Sequence, residues 1–155
     1  RMDLPLLGDA PFLAVNGDIL WDFDPAALIQ AFDPARMTAL LLLVESPADA
    51  PGDFLLAADG RLSRAPRVEP GDPAKGWTYS GLQMLSPGAL AHFPVEPFSL
   101  NRFYDDAIAA GTLFGIRLPG RWADVGTPER LEKARREWPA LPPLATGPES
   151  RALSR

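Results

Sequence analysis

Apolar residues fall in short blocks separated by Gly, Pro and Asp, a spacing that predicts short strands alternating with helices. Pro11 to Val15 is an apolar run that stops at Asn16-Gly17-Asp18, which predicts a buried strand ending in a turn. Asp24-Pro25 opens a helix, with Asp as N-cap and Pro in the first helical position ahead of Ala26, Ala27, Leu28 and Ile29. Met37 to Val44 is a strand so continuously apolar that layers are expected over both of its faces. Phe54 to Ala57 and Leu62 flank Asp59-Gly60, a hairpin signal that predicts a type I′ turn. Pro66 to Gly76 reads as a loop, and Trp77 to Leu85 as a further strand. Ser86-Pro87 starts a short helix, and Ser99 to Ala110 forms another that Gly111 stops. Thr112 to Leu118 is a strand by its β-branched and aromatic content. Arg121 to Val125 is extended, and Thr127-Pro128-Glu129 caps a last helix that reaches about Trp138.

This alternation predicts an α/β fold: a mixed, mainly parallel sheet with flanking helices. Residues 1–138 are read as the folded domain and 139–155, with four prolines, as a flexible tail. The 155 residues suffice for one domain with a real core, and 46% hydrophobic with 23% charged residues is globular composition. The longest aliphatic run, Leu40 to Val44, is too short to cross a bilayer, and no apolar secretory segment follows the early Asp3. The expectation is therefore a cytoplasmic location without a membrane partner. Arg1 rather than Met opens the chain, as expected of a segment of a longer protein. Absence of cysteine excludes disulfides and thiolate metal sites. A net charge of -5 without a basic run argues against nucleic-acid binding. An anionic substrate stays open, because a divalent cation can supply the missing positive charge.

Ligands of α/β sheets sit at the carboxyl ends of strands, where Asp18 and Asp124 are expected. Magnesium takes hard oxygen ligands, commonly one or two carboxylates completed by phosphate oxygens and water. Two aspartates from separate strand ends meet that demand, and turn or capping roles for both are the alternative. Gly17, just before Asp18, lets backbone approach a ligand closely. Gly71 to Thr78 has the glycine spacing of a phosphate loop, but Trp77 stands where the lysine belongs. Lys75 in that segment reads as a solvated side chain. His92, the lone histidine, supports neither a catalytic triad nor a zinc site. Trp21, Trp77, Trp122 and Trp138 read as packing residues, and Asp105-Asp106 as a solvated helix face.

Three segments carry a family resemblance. Phe12 to Asp18 resembles the central metal-binding segment of the sugar-1-phosphate nucleotidyltransferases. Thr78-Tyr79-Ser80-Gly81-Leu82 resembles their sugar-contacting strand. Arg121 to Pro128 resembles the segment with their second metal aspartate. The three occur in the family's order across about residues 4 to 138. The resemblance is to the branch of N-acetylmuramate-1-phosphate uridylyltransferases and mannose-1-phosphate guanylyltransferases, and Phe98 to Asn101 with the hairpin at Asp59-Gly60 favours its muramate-like side.

The resemblance implies a Rossmann-like, GT-A-like fold lacking its N-terminal half, so that 1–138 is a partial nucleotidyltransferase domain. The family's Gly-rich loop with its arginine, and the lysine after it, have no counterpart in the chain. The resemblance further implies Mg²⁺ held by Asp18 and Asp124 as metal-binding catalytic residues. Asn16, Gly17, Thr78 and Gly81 would bind substrate. UTP or GTP would react with a sugar-1-phosphate, in service of cell-wall precursor synthesis. The alternative is a catalytically incomplete sugar-phosphate-binding or regulatory module of the same fold. A third reading, another α/β phosphotransfer enzyme, finds only a loose fit in Asp18-Ile19-Leu20-Trp21-Asp22. A sheet cut short exposes an unpaired edge, so pairing with a missing N-terminal segment or with another copy is expected.

Overall fold

The structure is a computed structural model that describes residues 8–46, 51–66, 76–91, 93, 99–117 and 119–138. The chain forms β1 (Phe12–Val15), β2 (Ile19–Trp21), α1 (Pro25–Ala31), β3 (Ala39–Glu45), β4 (Phe54–Leu56), β5 (Leu62–Arg64) and β6 (Trp77–Leu85). A 3-10 turn (Pro87–Leu90) follows, then α2 (Leu100–Ala109), β7 (Leu113–Arg117), β8 (Trp122–Asp124) and α3 (Pro128–Glu137). Local signals set the ends of the helices. The Asp24 carboxylate accepts the Ala26 N–H at 2.9 Å at the start of α1, with Pro25 in the first turn. Ser99 caps α2, and Gly111 ends it with φ +66°. Thr127 caps α3 by accepting the Arg130 N–H.

β3 lies between β6 and β7, and five of its residues in a row are buried. Leu40 and Leu42 pack with Leu28 of α1, Leu82, Met84 and Phe114. Ala39, Leu41 and Leu43 pack with Phe103, Tyr104 and Ala107 of α2. The strand therefore feeds two cores at once, and its run of leucines follows from having no solvated face.

The sheet runs β5-β4-β6-β3-β7, with β1 also paired to β6. It is mixed, as expected, but parallel pairs are not its majority: only β3 and β7 run parallel, and the other pairs are antiparallel. The cause is β6, the longest strand, which is antiparallel to all three of its neighbours. The Asp59-Gly60 hairpin forms, with a different turn. Asp59 does not adopt the positive φ that a type I′ turn needs at both central positions. The turn instead runs from Ala57 to Gly60, closed by the Gly60 N–H donating to Ala57 O, and Gly60 alone has φ +87°. Gly60 O then accepts the Gly115 N–H, which fastens the hairpin to β7.

β6 carries a bulge. Ser80, Gly81 and Leu82 together stand opposite the single residue Leu42, between the pairs Tyr79–Leu43 and Gln83–Leu41. Gly81 has φ +91°, a conformation that side chains with a β carbon disfavour. Ser80 and Gln83 are buried and hydrogen-bonded, whereas the buried Tyr79 hydroxyl beside them has no hydrogen-bond partner among the described residues. Ser80 Oγ accepts the Leu82 N–H, and Gln83 Oε1 accepts the Tyr104 hydroxyl.

A second, two-stranded sheet pairs β2 with β8. Asp22 extends it past the strand end: its N–H donates to Arg121 O, and its carboxylate accepts both the Arg121 N–H and the guanidinium, the latter at 2.6 Å. The Arg121 guanidinium also lies 4.5 Å from the centre of the Trp138 ring. The Arg121 backbone N–H, followed by its guanidinium, holds the Asp22 carboxyl below its ordinary range.

Two predictions follow from these packing and pairing relations. Leu41 is fully buried, so Leu41→Ala should cost about 2–5 kcal/mol, read from the urea midpoint. The depressed Asp22 group stabilises the fold above the unfolded aspartate pKa of about 3.9, and that contribution disappears as pH falls through its lower folded value. Asp22→Asn should therefore be less stable than the parent at neutral pH, with the gap closing in acid. A gap that stays constant down to about pH 2 would remove the linkage.

Candidate active site

Two aspartates far apart in sequence meet at one end of the β2–β8 sheet. β1 stops at Val15, Asn16 to Asp18 turn the chain, and β2 runs back against β8 so that Ile19 pairs with Asp124. The Val125 N–H donates to Asp18 O at 2.8 Å, carrying the pairing one step further. Gly126 then lets both side chains close in. A β carbon built there would lie 3.0 Å from Asp18 Oδ2 and 3.2 Å from Asp124 Oδ1. Both carboxylates thus border one small space, which a β carbon at position 126 would crowd.

Asp124 is held on both oxygens. Oδ1 accepts the Gly126 N–H at 2.8 Å, and Oδ2 accepts Arg130 Nη1 at 2.7 Å. The Asp124 side chain keeps 38% of its surface exposed, so the space is open to solvent. No cluster of three or more His, Cys, Asp or Glu side chains suited to a metal gathers among the described residues. A pair of converging carboxylates is the donor set that suits Mg²⁺ when phosphate oxygens and water complete its shell.

The other candidates divide. The Asn16 N–H donates to Gly81 O at 2.8 Å, and a β carbon on Gly81 would come within 3.0 Å of Asn16 Cβ and Ile19 Cδ1. The β6 bulge is therefore seated against the turn that carries Asp18. Gly17 faces open space. Trp122 Nε1 donates to Ser80 O at 2.7 Å and ties the same bulge to β8. Asn16, Gly17, Asp18, Gly81 and Asp124 thus form one neighbourhood. Thr78 stands apart at the start of β6, opposite Val44, where its hydroxyl lies 2.9 Å from Ser46 Oγ.

Reading the chain alone missed Gly126, Arg130 and the indole bond of Trp122. Two of these had a local signal. An aspartate two residues before a glycine is the spacing of an Asx turn. An arginine in the first turn of a helix opposes the helix dipole, which points to an anionic partner nearby. Lys75, His92, most of the segment 71–78 and the tail 139–155 lie outside the described residues.

Among the described residues, clefts of about 400 and 730 Å³ open on the surface without Asp18 or Asp124 in their lining. The larger runs beneath the β4–β5 hairpin past Glu45, Trp77 and Arg117 to Trp122. Trp122 shares a face of β8 with Asp124, two residues on, so this cleft reaches the strand that carries the site.

No protein-family model matches the chain. The chain is 37% identical over 135 residues to N-acetylmuramate alpha-1-phosphate uridylyltransferase of Neisseria meningitidis serogroup B, a match covering 84% of this chain and 56% of that protein. It is 28% identical over 153 residues to an Arabidopsis thaliana protein assigned as a mannose-1-phosphate guanylyltransferase, covering 89% of this chain and 40% of that protein. The chain spans about half the length of the curated relatives it matches. Among solved structures, one assigned as a glucose-1-phosphate thymidylyltransferase of Bacillus anthracis, in complex with sucrose, matches with TM-score 0.72 and 15% identity. It covers 91% of this chain and 59% of that one. HddC of Yersinia pseudotuberculosis, also solved with GMP-PN, matches with TM-score 0.66 and 21% identity, covering 88% and 59%. These structural matches carry the fold alone. The chain is homologous, over part of their length, to the sugar-1-phosphate nucleotidyltransferases.

Proposed function

We propose that this chain carries the metal-holding and sugar-facing part of a sugar-1-phosphate nucleotidyltransferase that uses UTP or GTP. The observation that supports this most directly is the convergence of Asp18 and Asp124 on the space beside Gly126. A phosphate oxygen of the sugar-1-phosphate attacks the α-phosphorus of the nucleoside triphosphate in line. A new P–O bond forms, the α–β bridge breaks, and pyrophosphate leaves. Such a reaction relies on positioning and charge neutralisation more than on an acid or base. Asp18 and Asp124 would hold Mg²⁺, which supplies positive charge to the reacting phosphates. Gly126 keeps the space between the carboxylates clear. Asn16 and Gly17 form the wall beside it, where Gly17 faces open space with room for a sugar ring, while Gly81 seats the β6 bulge against Asn16. Thr78, whose hydroxyl meets Ser46 Oγ, lies farther along β6 from the carboxylates than Gly81. Use of a nucleoside triphosphate implies the cytoplasm as the compartment.

The test is pyrophosphate release with Mg²⁺, UTP or GTP, and N-acetylmuramate 1-phosphate or mannose 1-phosphate. Release that a chelator abolishes is the expected result. Binding of sugar phosphate with no release would instead support a catalytically incomplete binding module. Two variants sharpen the assignment. In the complete enzyme, Asp124→Ala should abolish turnover while leaving the far-ultraviolet circular dichroism unchanged, and normal turnover there would remove Asp124 from the site. Gly126→Ala should lower activity by about 10–100-fold, because its β carbon displaces both carboxylates. Full activity in that variant would show that the carboxylates need not approach this closely.

A further inference from the structure

We propose that Arg130 is a built-in counter-cation of Asp124 that competes with a divalent ion for its carboxylate and lowers the affinity of the free protein for metal. This rests on the reading of Asp18 and Asp124 as metal ligands.

Three observations lead to it. Arg130 lies in the first turn of α3, where the helix dipole disfavours a cation; Glu129 beside it has the charge that suits this position. The favourable partner of Arg130 is Asp124, whose Oδ2 accepts its Nη1 at 2.7 Å. Second, Asp124 does not need Arg130 to be oriented. The Gly126 N–H already fixes Oδ1, and that bond belongs to the backbone of the turn. Third, the ion pair is open to water, with 57% of the arginine and 38% of the aspartate side chain exposed. Pairs this exposed contribute little to folding, so removing the guanidinium leaves the fold in place.

What the guanidinium does change is the charge that an arriving cation meets. Without Arg130 the two aspartates present two negative charges; with it they present one. A divalent ion binding at Asp124 must also share or displace the hydrogen bond on Oδ2, and it is repelled by the guanidinium over a few ångströms. In a solvated site that repulsion is on the order of a tenfold change in affinity. The Gly126 bond, by contrast, carries no formal charge and sits on the other oxygen.

The experiment titrates Mn²⁺ into the 155-residue chain and reads free Mn²⁺ by electron paramagnetic resonance. Arg130→Gln should bind Mn²⁺ about tenfold more tightly than the parent. Arg130→Lys, which keeps the charge, should stay close to the parent. The advantage of Arg130→Gln should shrink at about 1 M salt, where the screening length is about 3 Å. Equal or weaker Mn²⁺ binding by Arg130→Gln would overturn the proposal, weaker binding meaning that the arginine orients Asp124. Failure of the underlying reading shows elsewhere: Asp18→Asn and Asp124→Asn would then bind Mn²⁺ as tightly as the parent.

Discussion

Ile19 pairs with Asp124 across a two-stranded antiparallel ribbon, and that pairing brings two carboxylates from distant parts of the chain to one glycine. Three backbone residues on each side are enough, because the ribbon is fastened at both ends. Asp22 clamps Arg121 at one end, and the Asp18 carbonyl accepts the Val125 N–H at the other. The inner faces of Ile19, Trp21 and Trp122 pack against the core that α1 shares with the main sheet. A ribbon this short would not persist in water by itself; its stability is tertiary.

The main sheet supplies the second fixed point. Its central strand β3 buries leucines on both faces, which sets β6 firmly beside it. The bulge in β6 then presents Ser80 O to the Trp122 indole and Gly81 O to the Asn16 N–H. Through these two hydrogen bonds the sheet, the turn after β1 and the ribbon meet around one small region. In this region a side chain at Gly81 or Gly126 would crowd its neighbours: one glycine seats the bulge against the turn, the other admits the carboxylates.

Charge is arranged in pairs although the chain carries a net charge of -5. Arg121 holds Asp22, Arg64 holds Asp105, Arg61 holds Asp59 and Arg130 holds Asp124. All four pairs are exposed enough that their worth to stability is small. Their positions differ in consequence. The pair at Asp22 closes the ribbon, the pair at Asp59 sits on the hairpin turn, and the pair at Asp124 sets the charge of the carboxylate that borders Gly126.

The elements were legible in the residues because the signals that make them are local. Asp24-Pro25, Ser99 and Thr127 each cap a helix through atoms two or three residues away, and Gly111 stops one by its own backbone freedom. The unbroken leucines of β3 told of cover on both faces for the same reason. The aspartates of the candidate site could be named from the strand ends they follow and from a family resemblance. β2 went unread, since Ile19 to Trp21 is too short to show a period. So did the antiparallel majority of the sheet and the turn type of the hairpin, because partner strands and the curl onto β7 decide them. Thr78 looked equal to Gly81 along the chain, yet Ser46 claims one while the bulge carries the other to Asn16. By itself, then, the sequence determined most of the segments that become strands and helices, and it named candidate residues for the chemistry. The folded structure alone decided which of those residues meet, because meeting depends on strand pairing and on close approach between segments, and no short window of sequence contains both partners.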